Sequence, residues 1–535
     1  NRISSQKMAQ PARVIVLGID GGSWDIILPM IQQGKLPAFE QIRQSGFHGR
    51  LQSTIPHSSF PAWTTAITGV NPGRHGITDF TRRTPGQDKL IFLNSTHRGV
   101  PTIFDILSQR GRSVASLGIP CTSPPDPING VMIGGFDCPV AVSAQRNMVH
   151  PPELASDLFQ KFGEYPYGSI SEFRITPQWY SIARKTLLDN IDKREKIFHW
   201  LWEKQKWDLF WMVFPETDTA SHHFWSLHDP QSPRHDPQLA QEFGNTLSEI
   251  YERLDRVLKD FIEFMTDEDV LIVMSDHGFG GAGTTEIYLN LWLHQHGYLR
   301  FRSNRKRHGE QTGFVDRALR NLPDNWPQWL FRKGFRWMGS LESRRRFSNI
   351  DWDHTVAFSE ESNSLPGICI RQQGGDPAGI APISKRDRLL QEIQEELLDW
   401  RCPFSGSPVI EQVYHREEIY NGPYLSLIPD LILEPTLIDG YSQAISNSNL
   451  AATDDPIQRL PEHRYRGGKG IGFSGTHRKD GIFLAYGDGI SSDEIPAIHI
   501  AAISPTILHF LGEQIPQWME GNALIVDAPK ITEAV

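Results

Sequence analysis

Cysteine is scarce in this chain: four residues among 535, at Cys121, Cys138, Cys369 and Cys402. None forms a Cys-x-x-Cys pair, which speaks against a disulfide framework and against thiolate zinc sites. Long apolar runs are also missing. The most apolar stretches, such as 209–214 and 270–274, are strand length, well short of the ~18–20 residues a membrane helix needs. Asn1 to Gln10 is polar and has no signal-peptide apolar stretch, so the expected address is the cytoplasm. Excess positive charge is absent: 53 Lys and Arg stand against 63 Asp and Glu, a net charge of −10 with His neutral. That argues against a nucleic-acid partner for the protein as a whole. No repeat and no low-complexity tract is visible.

What is present is a soluble, core-forming composition, with 39% hydrophobic, 10% aromatic and 22% charged residues. The length is three to four times a usual domain of roughly 150 residues. Histidine is plentiful, at 20 residues.

Residues 13–19 (RVIVLGI) form a short β-branched run that stops at Asp20-Gly21-Gly22, the pattern of a buried strand ending in a tight turn. Residues 24–31 and 37–45 read as helices. Strands are expected at 113–117, 208–214 and 270–274, with helices at 187–202 and 247–265 between them. Such alternation implies an α/β body: a doubly wound, mostly parallel sheet sandwiched by helices. From Arg300 to Arg346 there are thirteen basic residues against four acidic ones, interleaved with Trp326, Trp329, Phe331, Phe335 and Trp337. This predicts an inserted cap over 301–350. It either packs on the body with its charges in water or offers a basic face for an anionic substrate or peripheral membrane contact. Residues 351–430 are expected to form a small α+β subdomain. Residues 12–300 and 431–525 would be the two parts of one catalytic body, with a last helix near 505–511. The sequence sets no oligomeric state.

Four segments place Asp or His beside an expected strand: Asp20 after 13–19, Asp218-x-x-x-His222 after 208–214, Asp276-His277 after 270–274, and His477 before 481–486. In open α/β sheets, ligands bind at the carboxyl ends of strands. That rule covers the first three segments and leaves His477 unexplained. Each alone has a plain alternative: a turn for Asp20, a surface pair for Asp218 and His222, a capped turn for Asp276 and His277. His223 and His228 lie close by and are taken as surface or supporting residues. In Pro56-His-Ser-Ser59-Phe-Pro61, Pro61 suits the first turn of a helix and Gly69 its end, which puts Ser59 at or near an N-cap. There it serves either as a plain cap or as a nucleophile beside the positive helix end. Ser58 is its neighbouring rival. Carboxylates and imidazoles without thiolates suit Zn²⁺ or Mn²⁺. Two such ions could clamp the attacking and leaving oxygens of an in-line displacement.

In order, Asp20-Gly-Gly, Ser59-Phe-Pro-Ala-Trp63, Thr68-Gly-x-Asn-Pro-Gly-x-His75-Gly-Ile77, Asp218-x-x-x-His222, Ser275-Asp-His-Gly278 and Gly475-x-His477 resemble the alkaline phosphatase superfamily. The nearest branch is the type I phosphodiesterase/nucleotide pyrophosphatase group, in its bacterial predicted phosphohydrolase/phosphomutase form. The resemblance covers 12–300 and 430–525. It implies an alkaline-phosphatase-like α/β sandwich whose insertions set the substrate. It also implies one divalent ion on Asp218, His222 and His477, and another on Asp20, Asp276, His277 and the Ser59 oxygen, with His75 in support. The implied activity is a two-metal phosphohydrolase cleaving small anionic phosphodiesters or pyrophosphates through a phosphoseryl intermediate. The alternatives are a phosphotransferase, a phosphomutase or a phosphomonoesterase of the same superfamily, or a binding protein with a decayed site.

The sequence departs from this pattern in places. Ser59 stands where pyrophosphatase relatives usually place Thr. Thr78-Asp79-Phe80 stands where they carry an Asn that stabilises phosphoryl oxygens. Trp63 replaces the Arg of sulfatase relatives, which disfavours a sulfatase.

Overall fold

A computed structural model describes residues 13–84, 90–135, 148–167, 170, 175–302, 346–361, 364–373, 379–466, 472–490 and 492–524. Most of the basic insert, 303–345, therefore lies outside the described residues. The segments entering and leaving it are joined by an antiparallel bridge, Phe301 to Ile350.

Among the described residues, nine strands make the central sheet: β1 (Arg13–Ile19), β2 (Phe47–Gln52), β3 (Val114–Leu117), β4 (Gly130–Ile133), β5 (Val149–His150), β6 (Leu209–Phe214), β7 (Asp269–Met274), β8 (Asp480–Gly487) and β9 (Ile498–His499). Their order is β9-β2-β8-β7-β1-β6-β3-β4-β5. The run β7-β1-β6-β3-β4 is parallel throughout, while β8 is antiparallel to both β2 and β7. The expected doubly wound, mostly parallel sheet is what the chain forms.

Side-chain alternation explains the sandwich. In β1, Ile15, Leu17 and Ile19 enter one core, and Val14 and Val16 enter the other. The first core is closed by helices Trp24–Gln32, Pro37–Ser45, Pro177–Trp202 and Thr246–Phe264. The second is closed by Ser59–Thr68, Ile103–Gln109 and Ile503–Phe510. With both faces covered, the central strands read as continuous apolar runs, which is why they were recognisable.

Three local readings differ from expectation. The helix expected at 187–202 begins at Pro177, capped by the Thr176 side chain, because proline is accommodated in a first turn. The strand Gly278–Ile287 was unforeseen. It pairs with Ser442–Ile445, Ile457–Arg459 and Gly475–Arg478 in a second sheet. Leu431–Pro435, expected to return the chain to the catalytic body, lies instead in the small sheet with Gly367–Ile370 and Ile410–His415. A buried Leu-Ile-Leu run says that a strand forms, not which sheet receives it. The small sheet carries its own core with the helix Arg386–Asp399, through Leu390, Ile393 and Leu397. No helix among the described residues is long and apolar enough to cross a membrane.

Candidate active site

The parallel strands end together on one side of the sheet, and the Asp and His residues gather there. Asp20 follows β1, and its backbone N–H donates to Phe214 O at the end of β6. Gly21 turns the chain with φ +67; a Cβ there would lie 2.9 Å from the Phe279 ring and 3.2 Å from Asp218 Cα. Asp218 and His222 sit one turn apart on the helix Glu216–His228, which starts directly after β6. Asp276 and His277 occupy the turn between β7 and Gly278–Ile287. His477 lies on the short strand Gly475–Arg478, opposite Phe279. This antiparallel pairing with the strand that leaves Asp276-His277 is what delivers His477.

Ser59 is the first residue of the helix Ser59–Thr68, and Ser58 is its N-cap. Ser59 Oγ lies 3.3 Å from Asp20 Oδ1 and 3.3 Å from His277 Nε2. The helix is held by Trp63 Nε1–H, which donates to Asp20 Oδ2 at 3.0 Å. It is also held through His75. His75 Nδ1 accepts from Ile77 N–H at 3.1 Å, so its Nε2–H donates to Thr65 Oγ1 at 2.9 Å. Burial pushes the His75 imidazole down to about 3, so it stays neutral in this role.

All seven expected residues lie in one cluster. Asp20, Asp276 and His277 each offer an atom within 4.8 Å of the others, and so do Asp218, His277 and His477. His277 thus reaches both groups, whereas the resemblance implied it for one. His222 Nε2 is 3.4 Å from Asp218 Oδ1 and 3.2 Å from His477 Nε2.

The three imidazoles share one orientation logic. Each gives its Nδ1–H to a backbone carbonyl: His222 to Gly475 O at 2.9 Å, His477 to His57 O at 2.7 Å, and His277 to Gly278 O at 3.1 Å. The neutral tautomer then carries a lone pair on each Nε2, aimed into the cluster. There those lone pairs meet Asp218 Oδ1 at 3.1 Å from His477, and Asp276 Oδ2 at 3.2 Å from His277. Both carboxylate oxygens are buried and have no hydrogen-bond donor. Acceptors facing acceptors in a buried space need a proton or a cation between them. The donor set therefore fits divalent cations.

The electrostatics follow. Burial, reinforced by neighbouring carboxylates, pushes Asp20 and Asp276 well above the usual carboxylate range. Burial drives His277 well below its ordinary value and His222 down to about 4. For Asp218, His222 and His477 outweigh burial and hold the carboxyl well below its usual range. For His477, the facing Asp218 carboxylate outweighs burial and raises the imidazole, favouring a proton between them.

The mostly parallel α/β sandwich, with its Asp and His residues gathered at the strand ends, has an alkaline-phosphatase-like fold. Phosphonoacetate hydrolase from Sinorhizobium meliloti 1021, solved with phosphonoformate, shares the fold: TM-score 0.52 at 14% identity, over 95% of this chain and 98% of that one. Human ectonucleotide pyrophosphatase/phosphodiesterase 5 aligns at TM-score 0.48 and 15% identity, over 96% of this chain and 97% of that one. No curated protein matches by sequence. The family model for type I phosphodiesterase/nucleotide pyrophosphatase matches residues 14–442, and the chain belongs to that family. His477 lies beyond the match, so its place in the cluster rests on geometry.

Proposed function

We propose that this chain is a metal-dependent phosphohydrolase that cleaves phosphodiester or pyrophosphate bonds of small anionic substrates, with Ser59 as nucleophile. The observation that supports it is the placement of Ser59 Oγ, 3.3 Å from both Asp20 and His277 at the positive end of a helix. Asp20, Asp276, His277 and Ser59 would hold one ion, and Asp218, His222 and His477 the other. Oxygen and nitrogen donors suit Zn²⁺ or Mn²⁺. Bound ions would supply positive charge that offsets the negative charge developing on the transferring phosphoryl group.

The rest is done by the chain. Ser59 Oγ–H donates to Asp20 Oδ1, so the proton leaves toward a carboxylate. Oγ bonds to phosphorus as the bond to the leaving oxygen breaks, giving a phosphoseryl enzyme. The leaving oxygen departs as an anion and takes a proton from solvent. A water oxygen then bonds to phosphorus as the Oγ–phosphorus bond breaks, releasing the phosphate product and a proton to solvent while the proton held at Asp20 returns to Oγ. The test is a panel of p-nitrophenyl esters (phosphate, bis-phosphate, thymidine phosphate, sulfate), with phosphonoacetate added, on metal-stripped protein with Zn²⁺ or Mn²⁺ restored. Turnover should be fastest on the diesters. No turnover of any of them with metal present, or full activity in Ser59→Ala, would overturn the reading.

A further inference from the structure

Two serines stand side by side at the start of the nucleophile helix, and the structure treats them differently. An N-cap serine ordinarily turns its oxygen over the first helical turn, a bond worth about 1 kcal/mol. Ser58 is the N-cap here, with φ −137 and ψ 141, yet it makes no side-chain capping bond. Its hydroxyl, fully buried, points instead to Ser364 Oγ at 3.0 Å.

Ser364 comes from the segment that leads into the small sheet. Its own hydroxyl donates to Asp79 Oδ1. Asp79 is buried and already accepts from Phe80 N–H at 2.6 Å, Ser364 N–H at 3.0 Å and Leu365 N–H at 3.3 Å. A carboxylate only accepts, so the direction of the chain is fixed: Ser58 donates to Ser364, and Ser364 donates to Asp79. Donation to a charged acceptor strengthens Ser364 Oγ as an acceptor in turn.

Two residues shortly before it, Ser359 and Glu361, are held by the body of the protein. Glu361 sits at φ 42, a conformation that side chains rarely adopt. Its carboxylate accepts from Asn290 N–H at 2.8 Å, Ser448 N–H at 2.8 Å and Ser448 Oγ–H at 2.6 Å. Asn290 also pairs with Ser359 through two hydrogen bonds. Asp79, within the Thr78-Asp79-Phe80 run that departs from the family pattern, is thus bound by Ser364 and Leu365.

We propose that Ser364 is a positioning residue: by accepting the Ser58 hydroxyl it holds Ser58 off the helix terminus, leaving Ser59 as the serine that faces substrate. This rests on Ser59 being the nucleophile. Without Ser364, the Ser58 oxygen turns back to cap its helix and crowds the place where a phosphoryl oxygen approaches.

The test is a suppression experiment on metal-loaded protein. Ser364→Ala should lower kcat on bis-p-nitrophenyl phosphate about tenfold, the worth of one such hydrogen bond. KM and melting temperature should change little. Ser364→Thr should keep the wild-type rate. Ser58→Ala combined with Ser364→Ala should restore it, because no Ser58 oxygen remains to turn back. Orthovanadate affinity, read by calorimetry, should follow the same pattern and does not depend on knowing the substrate. If Ser364→Ala melts far below the parent, Ser364→Cys takes its place. An unchanged kcat and vanadate affinity in Ser364→Ala, or a loss that Ser58→Ala does not rescue, would overturn the proposal. Ser59→Ala in the same series separates the two readings. If it is inactive while Ser364→Ala is normal, only the positioning role fails. If it is fully active, the nucleophile assignment fails and the positioning role falls with it.

Discussion

The two halves of the cluster use the same residue types in opposite surroundings. In the enclosed half, the side chains of Asp20, Asp276 and His277 are 1%, 0% and 0% exposed. In the open half, those of Asp218, His222 and His477 are 19%, 15% and 18% exposed. The enclosed half carries two carboxyls raised by burial beside a neutral imidazole. The open half carries a carboxylate and an imidazole that raise and lower each other into an ion pair. A metal-free protein can therefore neutralise the open half internally, while the enclosed half must take up protons. The partners make the difference as much as burial: two carboxyls share one imidazole in the enclosed half, and one carboxylate faces two imidazoles in the open half.

This contrast can be tested, and the largest effect is expected at the enclosed half. Ser59→Ala should lower kcat by at least about 10⁴-fold, as loss of a nucleophile does elsewhere. Bound metal, counted by elemental analysis, should stay largely intact. Trp63→Phe removes the donor to Asp20 Oδ2. It should weaken metal affinity or activity by about 10–100-fold, the usual effect of losing a ligand's supporting hydrogen bond. An effect below twofold would mean that Asp20 is oriented without it.

Stability separates the halves further. Asp276 Oδ2 is a buried acceptor without a donor. Asp276→Asn removes the proton uptake that burial imposes on this carboxyl, so the metal-free protein should be at least as stable as the parent at neutral pH while the enclosed-half ion is lost. His222→Ala removes the hydrogen bond to Gly475 O and should destabilise the metal-free protein by about 1 kcal/mol. Equal shifts in denaturant titrations would break the contrast.

The smallest effect is a proton count. His477 is raised above its ordinary value, so its proton is present at low pH and lost as pH rises through the raised value. Asp20 and Asp276 are raised as well, with the same sign. Metal binding should then release protons in both halves, and affinity should climb with pH. Calorimetry in two buffers of different ionisation enthalpy would show it. Zero release would contradict both assignments of charge.

Much of the central sheet was legible because its strands are buried on both faces and end abruptly in Asp, Ser, Gly or Pro. Asp20, Asp218 and Asp276 could be placed by strand ends alone. His477 could not, because its strand pairs with Gly278–Ile287, whose Gly-Phe-Gly-Gly-Ala-Gly start reads as a loop. Those glycines serve close backbone approach: a Cβ on Gly278 would lie 2.1 Å from Asp480 O. Ser364 carried no signal at all. A serine outside any motif gains meaning only from what the fold brings to it, here Asp79 from 285 residues away.

The position of β8 also sets a timetable. It lies between β2 and β7, and His477 arrives just ahead of it. Until this late segment leaves the ribosome, β2 has no link to the parallel strands, and the open half lacks an imidazole. Synthesis of the roughly 190 residues from Ile287 to His477 takes on the order of 10–40 s at typical rates. Through that interval the nascent chain carries a finished parallel half-sheet with a bare edge at β7. A cell making this protein must shelter that edge while the small subdomain is still being made.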